Sequence, residues 1–99
     1  MTDAAFNRGL AAFLDDGGSS DAVIKAFPKL PEAALKKLVA EYRDIFSAAC
    51  RCVINYLEER KTEDVTRDAV AEIDKRVSAK NATLLYAIAR TSAWRDGYS

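Results

Sequence analysis

Groups able to do chemistry are few in this chain. It has no histidine, the side chain that most readily exchanges a proton near neutral pH. No glycine-rich phosphate loop occurs, and no nucleophile has an evident base beside it. Asp15-Asp16 and Glu58-Glu59 are adjacent acids. On a helix, neighbours diverge by about 100°, so neither pair converges on one substrate. Both pairs predict solvated surface. Cys50 and Cys52 point about 200° apart on a helix, too far round to bridge within one chain. Two thiols without an imidazole also fall short of the four ligands of a structural zinc. The residues therefore predict a non-enzymatic protein with no cofactor and no metal, its cysteines serving as small packing residues.

One region has a charge pattern worth weighing. Lys75, Arg76, Lys80, Arg90 and Arg95 have no acid among them, and Tyr86 and Trp94 are interleaved. Bases beside aromatics can neutralise phosphates and stack on nucleobases, so an anionic partner, nucleic acid, is the alternative reading. Against it, bases near helix C-termini offset the helix dipole. Asp3, Asp15, Asp16 and Asp21 are also available to neutralise the patch internally. Val70-Ala71-Glu72-Ile73, Val77-Ser78 and Thr83-Leu84-Leu85-Tyr86 follow the residue order of a helix-turn-helix. Extra residues flank Val77-Ser78, and a base stands where that motif uses glycine, so no family is assigned.

Bulk composition narrows the classes. Fifteen bases balance fifteen acids over 99 residues, so net charge selects neither nucleic acid nor membrane. At 49% hydrophobic and 30% charged, the chain has the make-up of one globular domain, residues 1–99. No apolar run reaches the ~20 residues that span a bilayer. Met1 to Arg8 lacks a basic segment followed by an apolar one, which predicts no secretory leader and a cytoplasmic location.

The elements follow from spacing and punctuation. Thr2 and Asp3 open a first helix presenting Phe6, Leu10, Phe13 and Leu14, and Gly17-Gly18 closes it. Ser19 or Ser20 caps a short helix over about 21–27 that offers Val23, Ile24 and Phe27. Pro28 disfavours helix before it, while Pro31 suits a helix start. A long helix then runs over about 31–60. Leu35, Leu38, Tyr42, Ile45, Ala49, Cys52 and Tyr56 form its stripe, widened by Val39, Phe46 and Val53.

The return arm spans about 63–95, with Val70, Ile73, Val77, Leu84, Ala87, Thr91 and Trp94 as its stripe. Polar residues at 78–81 interrupt it, and a break there, capped by Ser78 or Asn81, is placed ahead of one continuous helix. The fold class is all-α: a small helical bundle, built as a long antiparallel hairpin with two short N-terminal helices across it.

Two hairpin arms cover each other on one side only, and the N-terminal helices reach about one end. The flank at Val53, Tyr56, Leu57 and Val65 is therefore expected to dock on another protein or a second copy. The function expected is a protein-binding module: an adaptor or an inhibitor of a larger protein assembly, of a size and plainness shared with small helical inhibitors from phages and mobile elements.

Overall fold

A computed structural model describes residues 1–58 and 73–95, with side chains to 53 and from 73 to 91. Among the described residues there are four helices and no strand: α1 (Asp3–Asp15), α2 (Ser20–Ala26), α3 (Glu32–Glu58) and α4 (Ala79–Arg95). The protein is an all-α bundle.

Local chemistry sets each boundary. Thr2 Oγ1 accepts the Ala5 N–H and Ser19 Oγ accepts that of Asp21, each capping an otherwise unpaired donor. At the end of α1, the Gly18 N–H donates to Phe13 O and the Gly17 N–H to Leu14 O. That pattern needs left-handed backbone, and Gly17 and Gly18 have φ of 68° and 87°. The Pro31 carbonyl accepts the Leu35 N–H, so α3 starts directly after the proline.

With 27 residues, α3 is about 40 Å long, close to the 44 Å longest dimension of the molecule. Leu38, Tyr42, Ile45 and Ala49 form its buried seam, as the spacing predicts; the seam continues at Val53, whereas Cys52 of the expected stripe is half-buried. Phe6, Leu10, Phe13 and Leu14 of α1 pack into the same core, with Val23 and Phe27 from α2 and its cap. Ile24 departs from expectation. It is 47% exposed, because Val23 and Phe27 share a face and Ile24 lies about 100° away from Val23.

The second arm is broken, though at 74–78 rather than over the polar 78–81, of which 79–81 are already helical. Asp74 to Ser78 form a turn, and Ser78 Oγ accepts the Asn81 N–H to start α4. From there α4 runs in the same sense as α1: Asn81 bonds Asn7, while Ala87, Ile88 and Thr91 lie beside Leu14. The segment after the turn is thus a separate helix alongside α1 and α3. Residues 63–72, the earlier part of the expected arm, lie outside the described residues.

The stripe on α4 also differs from expectation. Among its described side chains the buried apolar ones are Ala82, Leu85 and Ala89, whereas Ala87 and Thr91 are exposed. Both sets have three-four spacing and, two positions out of step, lie about 200° apart, nearly opposite faces. Asn81, held at 3% exposure by Asn7, fixes which one turns inward.

Candidate functional site

Two arrangements on this bundle carry more than packing: an apolar groove between α2 and α3, and a polar junction between α1 and α4. The groove is a cleft of about 560 Å³ with Ser20 and Ile24 on the α2 side and Leu35, Val39 and Ala40 on α3. Val39 is buried and forms the floor, Leu35 is half-buried, and Ile24 and Ala40 are exposed. Glu32, Lys36, Arg43 and Asp44 rim it. Glu32 and Lys36 pair at 3.4 Å one turn apart, a solvent-exposed contact of small energetic weight. Apolar surface inside a charged border is the composition of a contact patch, where burying the centre excludes water and the rim keeps it soluble.

The junction is built on Asn7. Its Nδ2 donates to Asp3 O at 2.8 Å and Arg76 O at 2.7 Å, while its Oδ1 accepts the Ser78 N–H at 2.8 Å. Asn81 Nδ2 donates to Asn7 O at 2.8 Å and Asn7 Oδ1 at 3.1 Å. One amide thereby satisfies the turn and the start of α4 together. Beside it, the Arg76 guanidinium lies 4.2 Å from the Phe6 ring centroid. Arg76 Nη2 reaches Asp74 Oδ2 at 3.0 Å and Nε reaches Oδ1 at 3.3 Å, with Glu41 at 3.6 Å. The Arg76 side chain bonding to the Asp74 carboxylate holds that carboxyl below the usual range, against a smaller opposing effect of burial.

These positions sort the residues singled out from sequence. Arg76 is engaged by two carboxylates and an aromatic ring, so its charge is spent within the chain. Lys75, Lys80 and Arg90 are exposed. The helical backbone of α4 includes Trp94 and Arg95, but their side chains lie outside the described ones. Among the expected interface residues, Val53 is 1% exposed and belongs to the chain's own core, so it is covered from within rather than offered to a partner. The side chains of Tyr56 and Leu57, and Val65 altogether, lie outside the described residues. Cys50 and Cys52 are both half-buried.

Neither the groove nor the Asn7 junction was anticipated from the sequence, though signals existed for both. Asn7 shares a face with Leu10 and Leu14, and Asn81 with Leu85; an amide on an apolar stripe requires a partner. Ile24 stands off the Val23–Phe27 face, which marks it as unburied within the short helix.

Among the described residues no group of three or more potential ligands could hold a metal ion, and no helix is long and apolar enough to cross a membrane. Comparison of the chain with protein-family models, curated proteins and solved structures gave no match.

Proposed function

We propose that this chain is a non-enzymatic protein-binding module, an adaptor or an inhibitor of a larger protein assembly, that acts in the cytoplasm and docks through the α2–α3 groove. The observation that carries this reading is Ile24, 47% exposed at the lip of an apolar cleft floored by Val39. A branched aliphatic side chain left in water beside such a cleft gains by being covered. The partner is another protein or a second copy of this chain, and light scattering at micromolar concentration separates the two. The experiment that tests the module is affinity capture with wild-type bait and with the Ile24→Asp/Ala40→Arg double variant. Both positions are exposed, so the fold is expected to tolerate the changes. Partners retained by wild type and lost by the variant support the groove; equal retention removes it.

A second reading has its own observation. Lys75, Lys80 and Arg90 are exposed, and 79–95 contains no acid, so this face is open to phosphates. Nucleic-acid binding through it predicts heparin retention that falls steeply with salt and weakens in Lys80→Ala/Arg90→Ala. Protein binding through the groove predicts that the same pair of changes leaves partner capture intact.

A further inference from the structure

The rim of the α2–α3 groove carries its charges in an order that selects an occupant. Glu32 and Arg43, both exposed on α3, stand eleven residues apart. At 3.6 residues per turn that is three turns and about 20°, so they share one face, about 16 Å apart along the helix. Their midpoint falls between residues 37 and 38, with Leu35, Val39 and Ala40 of the groove on either side and Ile24 bordering from α2. A second α3 laid antiparallel about a two-fold axis at that midpoint sets each residue beside the one equally far beyond it. Leu35 then meets Ala40 of the second copy, Val39 meets the alkyl stem of its Lys36, and Glu32 meets its Arg43. Symmetry makes every such contact twice.

Two further features agree with this pairing. Arg43 has no ion pair among the described residues, so its charge is available to the second copy. Lys36 lies near the axis, but its ammonium is drawn to Glu32 at 3.4 Å, one turn away from the axis, which keeps the two lysines apart. The rim as a whole holds two acids and two bases, so no net charge selects an acidic or a basic foreign partner. The surface that matches its charge order is the same helix reversed. We propose that the occupant of the groove is a second copy of this chain, paired through antiparallel α3 helices with Glu32 of each copy against Arg43 of the other. The inference rests on the reading of the groove as a docking surface. Contact along about three turns of α3, with Ile24 beside it, is a small interface, so the dimer is of the weak, reversible class. The exposed ion pairs fix its register and direction more than its strength.

Sedimentation equilibrium on the full chain tests the proposal. Wild type is expected to pass from monomer to dimer, and no further, between about 5 and about 500 µM. Glu32→Arg and Arg43→Glu each set like charges together at two symmetric contacts, and each alone should raise the dissociation constant about 10-fold. Both side chains are exposed, so the fold is expected to tolerate either change. An equimolar mixture of the two single variants restores opposite charges at both contacts and should form a heterodimer about as tightly as wild type. A monomer throughout the range, single variants that dimerise like wild type, or a mixture no tighter than its components would overturn the proposal. The underlying reading fails separately. If wild type stays monomeric while Ile24→Asp/Ala40→Arg still loses a captured foreign protein, the second copy is overturned and the groove stands. If wild type dimerises and that double variant dimerises equally well, the groove is not the contact and both are overturned.

Discussion

The Tyr42 hydroxyl donates to the backbone carbonyl of Phe6 at 2.8 Å, joining the middle of α3 to the first turns of α1 across 36 residues. The Tyr42 ring also packs against those of Phe6 and Phe13, at centroid distances of 5.1 and 5.7 Å. Tyr42→Phe keeps the rings and removes the bond, so it should cost about 1 kcal/mol in a urea melt.

Tyr42 also sets a limit at high pH. Burial, aided by Glu41 and partly offset by Arg76 and Arg8, pushes its phenol from 10.0 up to about 12. The folded state therefore keeps a proton that the unfolded chain releases. The resulting stability is complete below pH 10.0 and is lost as pH rises toward 12. Denaturant melts at pH 9 and 11 should show wild type losing up to about 1.4 kcal/mol more than Tyr42→Phe over that interval. Parallel losses in the two proteins would place the phenol in water.

Gly9 is where α1 comes closest to its neighbours. A Cβ there would collide with the Tyr42 hydroxyl and the edge of the Phe27 ring. Gly9→Ala gains helix propensity of about 1 kcal/mol but overpacks a filled site by about 1–3 kcal/mol. The expected result is a lower thermal midpoint by circular dichroism, opposite to the usual effect of alanine in a helix.

Asp74 contributes on the acid side. Its carboxyl is held low by Arg76, so its contribution is present above the ordinary carboxylate range and disappears as pH falls through its own lowered value. Asp74→Asn should cost about 1 kcal/mol near neutral pH. The gap from wild type should close in strong acid, where both side chains are neutral. An unchanged gap from pH 7 downward would mean that the charge on Asp74 does not matter.

Two isoleucines separate core from groove. Ile45 is 6% exposed and Ile24 is 47% exposed. Ile45→Asp buries an unpaired charge and should cost about 4 kcal/mol or more, enough to unfold the domain. Ile24→Asp should shift the melt by no more than about 0.5 kcal/mol. Equal damage from both would contradict the outward placement of Ile24.

Much of this architecture is legible from local patterns. The α3 seam from Leu38 to Ala49 follows directly from three-four spacing, and Thr2, the paired glycines and Ser78 act as punctuation because capping chemistry is local. Rotation of α4 was not legible. Its apolar residues occupy more than one face, and the inward one is selected by Asn7, more than 70 positions away in the chain. The polar junction and the groove escaped for the same reason: both arise between helices, where single-helix periodicity carries no information. Val53, assigned to an exposed flank by counting arms of a hairpin, is buried in the same core cluster as Leu85 and Ala89 of α4.

The claim that the α2–α3 groove receives another polypeptide is tested most directly by site-specific photocrosslinking in the native cell. A photoreactive residue at position 24, on the lip of the groove, is compared with one at position 80, exposed on α4. A protein adduct is expected from position 24, weakened when Ala40→Arg is added, and none from position 80. Adducts formed at position 80 alone, or adducts at 24 indifferent to Ala40→Arg, would contradict it.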